Sequence, residues 1–463
     1  MEPSPSDSRR KRWVLWISLA ASFLPPFMAS AVNVGLPDMG REFAQGASSL
    51  GAVASVFLFA LAVCLAPAGK GLDLYGHARG LGTGCGVFAL GCLGGALAPT
   101  FPLLLAARGL QGAGGALMTV GGVAILTEAF PPGERGRVLG VNVAAVYLGI
   151  SLGPTLGGLL VDLAGWRLLF WVPLLPCGAT LALLATLPGG LPRGTGRGGL
   201  DGVSCGLFGL GLSGLLWGVP RLPEPWGAAA LAAGAILWGV FARRQLRSSN
   251  PLLDLRLFLR GRAYAFSNLA ALLHYGATYG VTFLLSLFLQ EIRGLSPRDA
   301  GLLLAVQPVV QTLFSPLAGR LSDRFDPGRL ASLGMGLTGA GLGLLLFQDT
   351  RSSLALLAAA GAVQGLGFAF FSSPNTNAIL GSVGRGDLGQ ASATLALMRV
   401  LGQSSSMALV AAVLNLRGLG AVPTGADPLG MVGAMRGCFG LFAGLSVLGV
   451  FLSLARGAKE PAP

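Results

Sequence analysis

Charge is what this chain has least of. Asp, Glu, Lys and Arg make up 11% of its 463 residues, against about 25% in an ordinary soluble domain. A surface that faces water needs more than this, so most of it is expected to meet lipid, in keeping with a mean hydropathy of +0.69. Histidine is scarcer still: His77 and His274 are the only two, in different regions of the chain. No nucleophile–base pair, metal-ligand cluster or phosphate loop can be assembled from the pattern, which excludes an enzyme and leaves no cofactor to expect. The six cysteines, Cys64, Cys85, Cys92, Cys177, Cys205 and Cys438, have neither paired nor metal-ligand spacing and read as small apolar packing residues. Basic residues outnumber acidic ones by 32 to 19, but they are scattered singly, so nucleic acid is not an expected partner.

What is abundant is small and apolar. The 74 glycines and 28 prolines lie within hydrophobic segments, where small residues let helices approach closely and proline is tolerated. About 20 apolar residues cross a bilayer. On that measure the sequence predicts an all-α membrane protein of fourteen helices, at 13–36, 48–68, 81–99, 103–127, 138–161, 168–187, 201–219, 226–242, 263–289, 299–318, 330–347, 353–376, 389–415 and 435–455. Arg9-Arg10-Lys11-Arg12 before the first of them looks like the start of a signal peptide, but the run is too long and has no cleavage site. Arg243, Arg244, Arg247, Arg256, Arg260 and Arg262 dominate one connection and set the orientation: both termini are expected on the cytoplasmic side of the cytoplasmic membrane.

Two connections repeat each other. Gly69-Lys70-Gly71-Leu72-Asp73-Leu74-Tyr75-Gly76 leads to Arg79, and Gly319-Arg320-Leu321-Ser322-Asp323-Arg324 runs on to Arg329, an offset of 250 from Gly69 to Gly319. Gln111-Gly112-Ala113-Gly114 returns as Gln364-Gly365-Leu366-Gly367, an offset of 253. A duplicated chain of this kind implies two related halves with a solute site between them. The offset also exceeds what six helices need, so a two-helix insertion is expected. The predicted organisation is a tail at 1–12, a six-helix bundle at 13–190, the insertion and linker at 191–262, a second bundle at 263–455 and a tail at 456–463.

Four strings, in order and on the expected spans, resemble the major facilitator superfamily, and within it the fourteen-helix drug:proton antiporter branch. Gly69, Asp73, Gly76 and Arg79 match its loop motif, and Arg108-Gly109-Leu110-Gln111-Gly112-Ala113-Gly114 its fourth-helix motif. Gly149-Ile150-Ser151-Leu152-Gly153-Pro154-Thr155-Leu156-Gly157-Gly158 matches its antiporter motif, and Ala31-Val32-Asn33-Val34-Gly35-Leu36-Pro37 the end of its first helix. The resemblance implies an exporter of small amphipathic compounds, driven by proton entry and working by alternating access. In such a protein the loops Gly69, Asp73, Gly76, Arg79 and Gly319, Arg320, Asp323, Arg324 act as latches, with Asp73 able to pair with Arg79 and cap a helix N-terminus. Gly149, Gly153, Pro154, Gly157 and Gly158 would form a close, bendable contact.

One departure matters. The branch usually carries an Asp five residues before Asn33, where this chain has Met28. The deep ionisable residues are instead Arg108, Arg399 and His274. Burying an arginine costs about 2.5–3.5 kcal/mol on insertion scales, a penalty seldom kept without purpose. Arg108 and Gln111 belong to the fourth-helix motif, whereas Arg399 aligns with Val146 and is not demanded by the repeat. Arg399 shares a helical stripe with Ser392, Gln403 and Ser406, as expected either of a wet cavity wall or of an arginine bonded to free carbonyls. His274, with Thr278 and Thr282 on its stripe and Tyr275 beside it, reads as a proton carrier or as a neutral interior residue. Gln307, Gln311 and Asn33 add neutral polar groups, with Asn375 and Asn377 weaker candidates. Glu128, Glu134, Arg135 and Arg137 read as solvated ion pairs.

The expected partners are the bilayer, a small-molecule solute and protons, for a protein acting as a monomer. With two buried arginines and no deep carboxylate, anionic or zwitterionic solutes are expected over cationic dyes, and an anion-preferring exchanger or uniporter stays open. So does a sensor or scaffold that moves nothing. If protons pass through His274, His274→Gln should abolish pH-gradient-driven transport in vesicles and leave solute exchange intact; undiminished uphill transport would remove His274 from the coupling.

Overall fold

The computed structural model describes residues 5–186, 199, 201–222, 224–248, 251–384, 388–419 and 427–456. Among these there is no strand. The helices are α1 (Pro5–Phe43), α2 (Ala47–Tyr75), α3 (His77–Ala96), α4 (Phe101–Ala129), α5 (Pro132–Ala164), α6 (Leu168–Trp171), α7 (Leu174–Ala185), α8 (Gly202–Gly218), α9 (Pro225–Arg247), α10 (Arg256–Arg260), α11 (Arg262–Leu287), α12 (Pro297–Leu304), α13 (Val306–Arg324), α14 (Pro327–Leu345), α15 (Leu354–Gly381), α16 (Leu388–Leu416) and α17 (Pro428–Leu454). Twelve helical stretches among the described residues are long and apolar enough to cross a membrane. The two remaining long helices, α3 and α14, have 20 and 19 residues, of which seven and six are glycine. Glycine adds length without adding hydropathy.

Two expected continuous helices are interrupted, each beside a proline. The 168–187 span breaks into α6 and α7 at Pro173. The 299–318 span breaks between Leu304 and Val306, where Pro308 has no N–H to offer the Leu304 carbonyl. The repeat loops also differ from expectation. Helix α2 runs on to Tyr75, so Asp73 lies in its last turn, and the residue entering α3 is Gly76 at φ +100°, which has no side chain of its own to cap with. In the second half Asp326 caps α14 by accepting the Arg329 N–H at 2.9 Å. Arg79, Arg320 and Arg324 are exposed, and the side chains of Asp73 and Asp323 lie outside the described residues.

Glycine pairs hold each half together in the same way. A Cβ on Gly112 would come within 2.3 Å of the Phe57 carbonyl oxygen of α2, and one on Gly114 within 2.3 Å of the Phe88 nitrogen of α3. In the second half a Cβ on Gly365 would come within 2.4 Å of the Gln307 oxygen of α13, and one on Gly367 within 2.3 Å of the Thr338 hydroxyl of α14. The twice-written Gln-Gly-x-Gly is thus a wedge: one helix lies backbone-to-backbone between two others. Helices α8 and α9 pair likewise at Gly214 and Gly234. Asp201 accepts from Arg244 Nε at 3.0 Å at one end of that pair, and Asn415 of α16 donates to the Pro220 carbonyl at 2.9 Å at the other.

Helices α1 and α11 run parallel, so the start of both lies on one face. Near that face Lys11 pairs with Glu134 and His77 with Glu128, each at 3.1 Å. On the opposite face Arg167 grips Glu42 through two nitrogens, at 2.7 and 2.6 Å.

The wedges yield a ranking. Gly114→Ala and Gly367→Ala should each cost about 1–3 kcal/mol by overpacking, whereas Gly86→Ala, with nothing within 4 Å, should be neutral or gain up to about 1 kcal/mol. Thermal unfolding in detergent would show the order; a Gly86 variant less stable than the other two would reverse it.

Candidate functional site

A cavity lies where the two halves meet. Ser30, Asn33, Tyr147 and Ile150 from α1 and α5 form one wall. Tyr275, Thr278, Tyr279 and Thr282 of α11, Gln307 and Gln311 of α13, Gln364 and Phe368 of α15 and Gln403 of α16 form the other, with leucines 285, 289, 303, 304 and 357 between them. Parallel packing of α1 and α11 positions the α11 polar stripe, because the period of 3.6 keeps Tyr275, Thr278 and Thr282 on the side facing α1 and α5.

The two walls are stitched together. The Tyr147 and Tyr275 hydroxyls meet at 3.1 Å, and the Tyr279 hydroxyl donates to the Ala29 carbonyl at 2.6 Å. Farther from the face that holds Lys11, Ser286 donates to the Asn33 carbonyl at 2.9 Å and Gln290 to that of Val34 at 3.0 Å. Beyond them Gly158 of α5 lies on Gly301 of α12, where a Cβ would be 2.5 Å from the Pro297 carbonyl. These contacts join the two walls at one end of the cavity. Of the other expected gating residues, Gly149, Gly153 and Gly157 pack against Phe23, Ser30 and Ala31 of α1. Pro154 shows its carbonyl to Gly301.

Of the ten residues singled out for solute or proton handling, Asn33, Tyr275, Thr278, Gln307, Gln311 and Gln403 line the cavity. Arg108, Gln111, His274 and Arg399 do not. Arg108 is fully buried behind the wall: its Nε donates to the Val53 carbonyl at 3.0 Å, Nη1 to the Gln111 amide oxygen, and its guanidinium lies 4.3 Å from the centre of the Phe57 ring. Gln111 in turn donates to Cys92 Sγ at 2.9 Å. Arg399 is half-buried, one turn from Gln403 and within electrostatic range of Tyr275. Its expected stripe divides, for Gln403 faces the cavity while Ser406 accepts the Gly280 N–H at 2.9 Å; the Ser392 side chain lies outside the described residues. The cationic lining expected from the two arginines is therefore not what faces the solute space. Among the described residues, the wall carries no charged side chain.

His274 is fully buried between Phe371, stacked at 4.0 Å, and Phe368, edge-on at 4.5 Å. Neither ring nitrogen has a hydrogen-bond partner, and Phe368 stands between the ring and the cavity. Asn375 is buried with its side-chain oxygen unpartnered, and Asn377 donates to Ser322; neither reaches the wall.

Several wall residues were not picked out from the sequence, among them Ser30, Tyr147, Gln364 and Phe368. Gln364 could have been, as the repeat partner of Gln111. The others acquire their role only from a neighbour distant in the chain.

The family model for the Major Facilitator Superfamily matches residues 18–259 and 267–463. The chain is 34% identical over 412 residues to the multidrug resistance protein Stp of Mycobacterium tuberculosis (strain CDC 1551 / Oshkosh), covering 86% of this chain and 75% of that protein. It is 32% identical over 393 residues to the uncharacterized transporter YebQ of Escherichia coli K12, covering 83% and 84%. With the riboflavin transporter RibZ of Clostridioides difficile it shares 25% over 406 residues, covering 85% and 86%. In fold it is similar to a proton-dependent oligopeptide transporter, with a TM-score of 0.66 at 16% identity over 97% of this chain and 98% of that one.

The tyrosine bond can be isolated. Tyr147→Phe and Tyr275→Phe each remove it, so the double variant should fall short of additivity by about 0.6–1.7 kcal/mol in a stability cycle; strict additivity would mean the hydroxyls do not interact.

Proposed function

The chain belongs to the major facilitator superfamily, a family of non-enzymatic transporters, and from that premise we propose that it exports small amphipathic compounds by alternating access. The observation that carries this reading is the cavity between the halves, closed at one end by contacts that can be remade. A few side-chain-to-carbonyl bonds and one glycine-on-glycine crossing form that seal. Each is individually weak, so rocking the halves can open it while the glycine wedges inside each half stay intact. The Stp relative, named for multidrug resistance, supports export of foreign compounds.

The finer architecture belongs to the same proposal. Counting α3 and α14 as spans with the twelve apolar ones makes fourteen: six per half, with α8 and α9 inserted as a pair between 191 and 262. Both ends then face the cytoplasm of a bacterial inner membrane, on the side of Lys11 and Glu134, and the protein works as a monomer. The paired loops at 69–79 and 319–324 would latch that face. His77 and Glu128 tie the first loop to the end of α4 there.

Proton coupling would run through His274, with Phe368 turning aside to admit water to its ring. A second reading, exchange or uniport with no proton, has its own support: the wall of the cavity has no carboxylate among the described residues, and the His274 ring has no hydrogen-bonded route to it.

In cells stripped of their own efflux pumps, expression of the chain should lower the accumulation of amphipathic drugs several-fold. Gly158→Leu would wedge α5 from α12, and should cut export by at least about tenfold at equal membrane abundance while a solute still binds. Normal export by that variant would take the seal out of the transport cycle.

A further inference from the structure

We propose that the cavity selects uncharged solutes carrying an amide- or imide-type edge on an apolar, planar body, in preference to both cations and anions. This rests on the transporter reading above and specifies what its site accepts. Four glutamines and one asparagine reach the wall, and each presents a donor and an acceptor side by side without net charge. Gln307 donates to Gln311 at 3.2 Å, but Gln364 and Gln403, only 4% and 8% exposed, make no side-chain hydrogen bond among the described residues. The Asn33 amide lies against Tyr279, yet that hydroxyl donates to Ala29, and both polar atoms of Asn33 are left without a well-formed bond.

Unpaired amides in a largely buried wall favour a ligand that supplies the missing acceptor and donor together. An analogue lacking one of the two leaves a polar group stranded, which is how such sites discriminate. The ring of Phe368 and the leucines on either side provide the apolar faces for the body of the solute.

Charge is disfavoured in both signs, for different reasons. A cation would shed its hydration with no carboxylate on the described wall to replace it, and with Arg108 and Arg399 behind Tyr279 and Tyr275. An anion would gain their field but meet neither guanidinium at the described wall, since Arg108 is fully buried behind it, bonded to Val53 and Gln111 through two of its three nitrogens, and Arg399 lies a turn away from Gln403. Neutral amides alone do not repay the desolvation of an ion.

One fluorescent ring system can report on all of this: 1,8-naphthalimide, its N-methyl derivative, a derivative with a quaternary ammonium arm, and the 4-sulfonate. Binding to the purified full chain in lipid nanodiscs, followed by ligand fluorescence, needs no transport. Naphthalimide should bind at least about tenfold more tightly than the quaternary and sulfonated forms, and several-fold more tightly than the N-methyl form. Gln403→Ala and Gln364→Ala should weaken naphthalimide several-fold more than the N-methyl form, which keeps its carbonyls but offers no N–H to the amide oxygens, a difference that general unfolding would not produce. Equal or tighter binding of either charged form, or no binding by any of the four, would overturn the proposal. Selective binding without export in cells would leave it standing and overturn the exporter reading instead.

Discussion

In lipid, helices gain nothing from hiding hydrocarbon from hydrocarbon, so what joins them is close packing and the few polar contacts that closeness allows. In this protein closeness is supplied by glycine. Gly112 and Gly114 in one half, Gly365 and Gly367 in the other, set a central helix against two neighbours at distances no side chain would permit. The Gly149–Gly158 string does the same for α5, laying it along α1 and, at its far end, against α12. Each half is thereby packed closely, and the halves meet where α2 crosses α16 and α5 crosses α12, with side-chain-to-carbonyl bonds between α1 and α11. Rigid bodies with a weak, remakeable seam are the mechanical requirement for moving a solute past a fixed site.

The seam also explains the chemistry of the cavity. In the proposed cycle hydroxyls and amides would bond across it and then to a solute, whereas a charged pair there would be costly to break with no water at hand. The arginines are kept one layer back. Arg108 is held by a carbonyl, an amide and an aromatic face within its own half, with Nη2 left unpartnered, and Arg399 sits a turn away from the wall. Arg108 is close enough to Tyr279, and Arg399 to Tyr275, to interact electrostatically with the hydroxyls at the wall.

Much of this was legible in the chain. Low charge and long apolar runs imply a membrane protein, and the recurring Gln-Gly-x-Gly implies two halves of one plan, because a backbone wedge needs the same small residues wherever it is built. Asn33, Tyr275, Thr278, Gln307, Gln311 and Gln403 could be picked out because a polar residue in an apolar helix needs a reason to be there. That rule does not say which way the residue faces. It therefore could not separate Gln403, at the wall, from Ser406, which ties α16 to α11, nor foresee that His274 would lie in a dry aromatic slot behind Phe368.

The sequence by itself determined the medium, the helical class and the duplicated plan, since hydropathy and glycine spacing act locally, along a single helix. Only the tertiary structure decided what the solute space presents. Tyr147 and Tyr275 are 128 residues apart in the chain, and whether a buried charge lines a cavity or stands behind it depends on helix rotation, set by neighbours that no local pattern names.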